Sequence, residues 1–421
     1  MTVRAKRFSL VFAGSALAMA LAPAAPDAAG QAPPPVFAAI HNFAGSPDDG
    51  AMPWGLVRSG NMFYGATWGG GAAGCGTVFS LAPPGGHWTE KILYSFTCGN
   101  DGAFPLGLAL GNRGTLYGTT ASGGNTEFGT VFSLMAPAAP GAAWTLTVLH
   151  TFTEAQSGAP SGGLAIGKGG VLYGTTYGGE SCNNGTVFAL KPPASPGGSW
   201  TEETVHCFPN GGAEETPASV AIDPASGTIY GTTSGGRPSP ESTVFSLSPP
   251  TASDGDWSET TIYTFTGGDD GLRPNPLLLG PDGVVYGTSH GTGNNHGAVF
   301  SLTPPASPGE SWRLDVLHDF PGAPDGSVPG AGLAIGNHGT LYGTTILGGA
   351  GGCVNGCGTV FSMTPPATPG GGWTETVVYS FNGAGNGPAA PVTFGKNGLL
   401  YGTTQHGGTA GDGIVFSLAP Q

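Results

Sequence analysis

Apolar and polar positions alternate in short runs along this chain. After the first 24 residues no stretch shows the three-to-four-residue spacing of an amphipathic helix. The runs are bounded by glycine, proline, asparagine and aspartate, which favour turns. Glycine alone accounts for 79 of the 421 residues. This pattern predicts an all-β fold of short strands joined by tight turns.

One phrase of this pattern returns seven times. It begins with Tyr64-Gly-Ala-Thr, and the other copies are close to Tyr-Gly-Thr-Thr. Each copy is followed by a segment like Gly-Thr-Val-Phe-Ser-Leu and, in six units, by a tryptophan with a phenylalanine eight residues later, as in Trp88 and Phe96. Turn residues divide each unit into four strand-like segments, and four strands per repeat are typical of a propeller blade. The other copies of the phrase start at Tyr117, Tyr173, Tyr230, Tyr286, Tyr342 and Tyr401.

The two ends of the repeat region complement each other. The last unit stops at residue 418 after three strands, whereas residues 36–43 match the second half of the missing fourth strand. A ring closed in this way has no open sheet edge. The sequence therefore predicts a seven-bladed β-propeller of four-stranded antiparallel blades over residues 36–421. Residues 36–43 are its closing strand, and repeats of about 56 residues run through residue 418.

The N-terminal segment is typical of a targeting sequence. Arg4, Lys6 and Arg7 precede an apolar run, and small residues follow at 22–24. We interpret residues 1–24 as a signal peptide and residues 25–35 as a Pro/Ala-rich linker. The mature protein is then expected to be secreted, to the extracellular space or the periplasm, as a monomer without a membrane span.

Six cysteines suit an oxidising compartment. In an antiparallel blade the start of the third strand lies beside the end of the fourth. This arrangement places Cys75 near Cys98 and Cys182 near Cys207, which predicts two disulfides within blades.

The third disulfide is predicted from a longer loop. The third-strand glycine usually comes 12 residues after the tyrosine, but Gly358 comes 16 residues after Tyr342. Cys353 lies in the additional segment, which favours a local bridge to Cys357. Zinc is the competing interpretation, but two cysteines without a matched histidine pair do not make a zinc site. No metal site and no cofactor are predicted.

The chain is acidic and contains little that suggests catalysis. Lys and Arg number 12 against 26 Asp and Glu, a net charge of −14, which disfavours nucleic acids and anionic membranes as partners. The innermost strands carry almost no ionisable residues, and no nucleophile or metalloprotease motif occurs. No catalytic residue is predicted.

Candidate binding residues lie in two sets of loops. Connections from the second to the third strand, and from one blade to the next, emerge on the same side of a propeller, which we call the loop face. Loops on a rigid scaffold usually carry binding residues, although for aspartates followed by glycine turn formation is the alternative. The candidates are Trp68, Asp101, Tyr177, Asp270, Arg273, His290, His296, Asp325, His406 and Asp412.

Four further histidines occupy one repeat position, two residues before the phenylalanine of the fourth strand. They are His41, His150, His206 and His318, and other units have tyrosine there. Because both residue types occur, we interpret this outer-strand slot as a packing position.

The combined motifs identify a family resemblance. Asp-Gly-x-x-Pro, Leu-Tyr-Gly-Thr-Thr, Gly-Thr-Val-Phe-Ser-Leu and a terminal Tyr-Ser-Phe recur at fixed spacing from about residue 36 to residue 418. This combination resembles the bacterial GloVer (Gloeo/Verruco) tandem repeat. The resemblance implies an exported repeat protein and supplies no catalytic residues.

These observations favour a secreted binding or interaction scaffold whose ligand is an extracellular glycan or protein. A polysaccharide-active hydrolase or lyase is the first alternative, and a structural component of an envelope or matrix is the second. The fold does not choose among them.

Overall fold

The repeat folds into seven antiparallel sheets arranged as propeller blades. The computed structural model describes residues 37–83, 88–139, 141–154, 158–179, 182–195, 197–208, 216–235, 242–251, 255–291, 296–307, 309–368, 370–383 and 385–420. In this part of the chain the only helical segments are four three-residue 3-10 turns, and none could span a membrane. The predicted all-β, seven-bladed propeller is confirmed. The predicted signal peptide (1–24) and linker (25–35) lie outside the described residues.

Within each blade the strands follow chain order from the first, inner strand to the fourth, outer strand. The closing strand is β1 (Phe37–Asn42). Blade 1 contains β2 (Gly50–Ser59), β3 (Met62–Gly70), β4 (Thr77–Ala82) and β5 (Thr89–Ser95). Blade 2 contains β6 (Ala103–Leu110), β7 (Leu116–Ser122), β8 (Thr130–Met135) and β9 (Thr145–Thr151). Blade 3 contains β10 (Ala165–Ile166), β11 (Leu172–Thr176), β12 (Thr186–Lys191) and β13 (Thr201–Cys207).

The second half of the ring repeats this order, with the inner strand split in blades 5 and 6. Blade 4 contains β14 (Thr216–Ile222), β15 (Ile229–Ser234), β16 (Thr243–Ser248) and β17 (Ser258–Thr264). Blade 5 contains β18 (Leu272–Pro274), β19 (Leu278–Leu279), β20 (Val285–His290), β21 (Ala298–Thr303) and β22 (Arg313–Asp319). Blade 6 contains β23 (Gly326–Pro329), β24 (Ala334–Ile335), β25 (Leu341–Gly348), β26 (Thr359–Thr364) and β27 (Thr374–Ser380). Blade 7 contains β29 (Thr393–Phe394), β30 (Leu400–Thr404) and β32 (Ile414–Leu418), beside a short ribbon of β28 (Gly385–Asn386) and β31 (His406–Gly407).

The closing strand completes blade 7 as predicted. β1 pairs antiparallel with β32, in a register that sets Phe37 opposite Leu418 and Asn42 opposite Ile414. The ring is therefore closed by strands from opposite ends of the repeat region, and β32 is not left as an open edge.

The repeated glycine makes room within each blade for a phenylalanine that packs against the neighbouring blade. A Cβ atom on Gly65 would lie 2.4 Å from the ring of Phe79, so only glycine fits beneath that ring. Phe43, from the outer strand of the preceding blade, packs edge-on against Phe79 with ring centroids 5.1 Å apart. Both rings are fully buried. Each contributes about 1.5–3 kcal/mol of burial energy, which explains why the pair recurs around the ring.

The two threonines of the Tyr-Gly-Thr-Thr motif form different hydrogen bonds. The first donates a hydrogen bond to the segment that enters the next blade, as Thr119 does to the carbonyl of Gly162, just before β10, at 2.7 Å. The second pairs with the threonine of the third strand, as in Thr120 and Thr130, whose hydroxyl oxygens are 3.0 Å apart. The repeated phrase is therefore both a blade core and an inter-blade joint.

The three predicted disulfides are all present. They are Cys75–Cys98, Cys182–Cys207 and Cys353–Cys357, with Cα–Cα distances of 5.5, 5.5 and 5.2 Å. All six cysteines are thus oxidised, and no thiol remains as a nucleophile or metal ligand.

Backbone hydrogen bonds tie the two sets of loops together on the loop face. The Phe104 N–H donates to the Cys75 carbonyl at 2.9 Å, and the Val328 N–H donates to the His296 carbonyl at 2.7 Å. In each case the donor enters one blade and the acceptor lies between the second and third strands of the blade before it. Such hydrogen bonds hold the loops of neighbouring blades against each other on the loop face.

Candidate functional site

The loop face presents one repeat position that differs in all seven blades. This position directly follows the Tyr-Gly-Thr-Thr phrase. Its residues are partly or fully exposed, whereas the residue before each of them is buried. Because the backbone is held on both sides by the same pairing, the seven side chains emerge at equivalent places. We call this position the rim position, and its residues are Trp68, Ala121, Tyr177, Ser234, His290, Ile346 and Gln405.

The largest side chain at the rim position belongs to an aromatic pair. Trp68 stacks on Phe104 of the next blade, with ring centroids 5.2 Å apart and an interplanar angle of 20°. Phe104 has a φ of +59°, in the left-handed region that side-chain-bearing residues rarely adopt. Tyr177, at the same position two blades further on, is 54% exposed. The loop face thus carries flat aromatic surfaces that are open to solvent.

Two of the candidate aspartates serve as turn acceptors. Asp101 accepts hydrogen bonds from the Tyr94 hydroxyl at 2.9 Å and from the Thr97 N–H at 2.8 Å. Asp270 accepts the equivalent bonds from Tyr263 at 3.0 Å and from the following turn at 2.8 Å. Their carboxylates therefore hold a turn to the preceding outer strand.

The tyrosines of these pairs are poor acids. Burial, followed by the hydrogen bond to Asp101, raises the pKa of Tyr94 to about 12. Burial and Asp270 likewise raise the pKa of Tyr263 to about 12. Both phenols therefore remain hydrogen-bond donors in neutral solution.

Blade 5 contributes a polar group to the loop face. Burial and the nearby charge of Arg273 lower the pKa of His290, so its imidazole is neutral near pH 7. His296 lies close by along the chain, with its Nδ1 3.0 Å from the Ser327 hydroxyl. Arg273 itself is exposed.

Of the remaining candidates, Asp325 lies at the connection of blades 5 and 6, with its Oδ2 3.0 Å from His318 Nε2, and the other two lie in blade 7. His406 is exposed in the short β31 ribbon. The Asp412 carbonyl accepts a hydrogen bond from the Met52 N–H at 2.8 Å, which links blade 7 to blade 1. The ten candidate residues are thus distributed around the rim, over six of the seven blades and their connections, with a concentration in blade 5.

Two polar clusters lie between blades, and of their six residues the sequence analysis named only Asp325 as a candidate site residue. In one, His41 Nε2 lies 3.4 Å from Asp49 Oδ2, and Glu90 approaches from the next blade. In the other, His318 Nε2 lies 3.0 Å from Asp325 Oδ2, beside Glu375. In each cluster one polar atom from every residue lies within 4.8 Å of the other two.

The glutamates of these clusters are held in an unusual state. Burial raises the pKa of Glu90 and of Glu375 to about 7; the histidine opposes this shift and the aspartate adds to it. The Oε1 atom of each glutamate is buried and has no hydrogen-bond partner in the described part of the chain. The histidine rings also pack edge-on against Phe43 and Phe320. The packing interpretation of the outer-strand slot therefore covers only part of its role.

A signal for these clusters is present in the sequence. It appears when the outer-strand slot is compared with the residue two places after the tryptophan of the following unit. Where the outer-strand slot holds histidine, this second position holds glutamate at every interface. Where the slot holds tyrosine, the second position holds leucine or, at the interface between blades 6 and 7, phenylalanine. The pairs are His41/Glu90, His150/Glu202, His206/Glu259, His318/Glu375, Tyr94/Leu146, Tyr263/Leu314 and Tyr379/Phe37.

A cavity lies elsewhere, where inner strands converge. It has a volume of about 450 Å³ and is lined mainly by apolar residues such as Leu56, Val392 and Phe394. Arg58 is the single ionisable residue in its lining. This cavity contains no pair of groups suited to acid–base catalysis.

Solved structures share the propeller fold. A polysaccharide lyase, Uly1, aligns with a TM-score of 0.50 at 12% identity, covering 90% of this chain and 91% of the lyase. A putative oxidoreductase (glucose dehydrogenase) from Thermus thermophilus aligns with a TM-score of 0.46 at 16% identity, covering 91% of this chain and 99% of that one. At these identities the likeness concerns the fold alone. No curated protein sequence matches the chain.

The family is established by the repeat itself. The family model of the Gloeobacter/Verrucomicrobia repeat matches residues 31–245 and 216–421, which together span the propeller. The matched segments contain the repeated glycines, threonines and phenylalanines described above. The chain therefore belongs to the Gloeobacter/Verrucomicrobia repeat family, as its motifs indicated.

Proposed function

We propose that this protein is a secreted scaffold that binds an extracellular glycan on its loop face. The observation that carries this proposal is the rim position, where a rigid ring presents seven different side chains, among them Trp68 stacked on Phe104 and the exposed Tyr177. Flat aromatic rings offer large contact areas at little cost in conformational entropy. Such surfaces suit the C–H faces of sugar rings. A protein ligand is the other candidate for the same face.

The neighbouring aspartates favour binding over hydrolysis. Glycosidic cleavage usually needs two carboxyl groups that face the substrate at about 5–10 Å from each other. Asp101 and Asp270 are instead engaged by tyrosine hydroxyls and turn N–H groups. These carboxylates support the rim structurally.

A polysaccharide-active enzyme is the rival function, and one observation favours it. His290 is a neutral imidazole near the positive charge of Arg273. A neutral base beside a cation suits proton abstraction next to a carboxylate, the step that opens a lyase reaction. The two functions therefore make different predictions for the same blade.

The test uses the purified full-length mature protein on a glycan array and with soluble polysaccharides. Trp68→Ala is expected to weaken retention of the bound glycan at least tenfold, and Tyr177→Ala to weaken it less. Met135→Ala is the matched control, because Met135 is 48% exposed but lies at the far end of β8, away from the loop face. Retention of no glycan would overturn the glycan assignment. Release of unsaturated or reducing products that is lost in His290→Ala would overturn the scaffold in favour of the enzyme.

Export is part of this proposal. Three disulfides are consistent with an oxidising compartment, and the basic and apolar pattern of residues 1–24 is typical of a signal peptide. N-terminal sequencing of protein recovered from the medium or periplasm should place its first residue close to position 25. Sedimentation of the same sample tests the expected monomer.

A further inference from the structure

We propose that the two His–Asp–Glu clusters between blades bind a divalent transition metal of the zinc class. The first site consists of His41, Asp49 and Glu90, and the second of His318, Asp325 and Glu375. Each site joins the outer strand of one blade to the outer strand of the next. This inference is independent of the glycan-binding function, because these residues do not occupy the rim position.

The spacing of the ligand atoms fits one ion. Zinc binds imidazole nitrogen and carboxylate oxygen at about 2.0–2.2 Å, which sets neighbouring ligand atoms of a tetrahedron about 3.3–3.6 Å apart. The His41–Asp49 distance of 3.4 Å lies in this range, whereas the His318–Asp325 distance of 3.0 Å is that of a hydrogen bond, so these two atoms would move slightly apart around an ion. The glutamate oxygens lie within 4.8 Å of both partners, so a small rotation of the glutamate side chain completes three ligands around one point.

Unpartnered polar atoms point to a missing partner. Glu90 Oε1 and Glu375 Oε1 are buried without a hydrogen-bond donor among the described residues, and His41 Nε2 is buried without a hydrogen bond. Such atoms are uncommon in native proteins, because a buried polar group without a partner loses its hydration and gains nothing in return. A bound cation would satisfy these atoms together. His150 Nε2 and Glu202 Oε1 are also buried without a partner, at an interface where serine stands in place of the aspartate, so the complete three-residue set is what distinguishes the two proposed sites.

Two other interfaces of the same protein show what the outer-strand slot contains when no cation is needed. There the aspartate accepts a tyrosine hydroxyl, as Asp101 does from Tyr94. The glutamate position of the next blade is Leu146 at one interface and Leu314 at the other. Glutamate accompanies histidine at four interfaces, and at two of them an aspartate completes a set of three metal-ligand residues.

The donor set selects the kind of metal. One imidazole and two carboxylates suit zinc and its neighbours, whereas calcium and magnesium prefer oxygen ligands alone. Three protein ligands leave a fourth position for water. At the first site the metal would join β1, the outer strand of blade 7, to β5, the outer strand of blade 1.

The test is a calorimetric titration of the full-length, chelator-treated, dialysed protein with zinc chloride. We expect two equivalents per chain, one lost in Glu90→Gln, the other in Glu375→Gln, and both in the double variant. Glu202→Gln is the matched control. Glu202 occupies the same repeat position as Glu90 and Glu375 and is paired with His150. The third ligand is missing there, because residue 157 is serine where the two sites have aspartate, so two equivalents should remain in this variant. Near-ultraviolet circular dichroism shows whether each variant keeps the native fold, and the neutral, equally sized glutamine is chosen for that purpose.

Further measurements distinguish zinc binding at the two proposed sites from non-specific zinc binding. Zinc should raise the unfolding midpoint of the wild type and leave that of the folded double variant unchanged. X-ray absorption of the zinc-loaded protein should show only nitrogen and oxygen ligands near the ion. Failure to bind zinc, or binding of the same amount by the double variant, would overturn the proposal. Calcium binding with equal affinity would overturn the choice of metal class.

Discussion

Two neighbouring interfaces of the ring place different residues at the same outer-strand position. Between blades 4 and 5 the outer strand provides Tyr263, whose hydroxyl donates to Asp270 at 3.0 Å. Between blades 5 and 6 it provides His318, whose Nε2 lies at the same distance from Asp325. The next blade then adds Leu314 to the first interface and Glu375 to the second. We call these Tyr-type and His-type interfaces.

The difference shows that a repeat position is specified by its neighbour in the next blade. A phenol has one polar atom, and the aspartate satisfies it, so the rest of the interface can be apolar. An imidazole has two polar ring nitrogens and accepts a second carboxylate beside it. One residue type can therefore change only together with its partner across the interface.

The largest effect is expected from mixing the two types. Leu314→Glu places a carboxylate next to Tyr263 and Asp270, where no histidine compensates it. An unpaired buried charge and the lost leucine should lower the free energy of unfolding by about 3 kcal/mol. Urea denaturation at pH 8 measures this change. Leu314→Met, with similar volume, is the control and should cost under about 1.5 kcal/mol. If Leu314→Glu lowers the free energy of unfolding no more than Leu314→Met does, the interface does not discriminate between glutamate and an apolar residue at this position.

A smaller effect is expected when both partners change together. His318→Tyr with Glu375→Leu converts the His-type interface to the Tyr-type, with Asp325 kept as the acceptor. Each single change should destabilise the protein, while the double variant recovers most of the loss, with a coupling energy of about 1–3 kcal/mol in chelator-containing buffer. Urea denaturation of the wild type, the two single variants and the double variant gives the coupling energy. Additive effects would contradict the paired interpretation.

The smallest effect concerns alkaline pH at the Tyr-type interfaces. The pKa values of Tyr94 and Tyr263 are about 12 in the folded protein, whereas a free tyrosine ionises near 10. Between these values the folded state binds more protons than the unfolded state, so stability falls as the pH rises from about 10 to about 12. Replacing both tyrosines with phenylalanine should make this loss shallower. Phenolate absorbance and urea denaturation across this range are the measurements, and an unchanged slope would argue against buried phenols.

Much of the fold could be predicted because its evidence is local and repeated. The spacing of each phrase defines a blade, and the incomplete last unit indicates the closing strand. The bridge of Cys353 to Cys357 follows from one long loop. Each of these features depends on residues close in sequence, or on the same pattern seen several times.

The candidate site was predicted less completely, for a physical reason. The rim residues Trp68, Tyr177 and His290 were found because loops carry variable residues. The aspartates are binding candidates in the sequence analysis, with turn formation as the alternative, and Asp101 and Asp270 bind tyrosines seven residues earlier in the chain. That partner could be recognised only once the turn geometry was known.

The sequence by itself determined the seven blades, the closing strand, the three disulfides and the family, because strand periodicity and turn residues act over short distances. The tertiary structure decided which side chains meet across blades. His318 and Glu375 are about one repeat apart in the chain and belong to different blades. They come together because a closed ring presses each outer strand against the next, and that contact makes the His–Asp–Glu clusters.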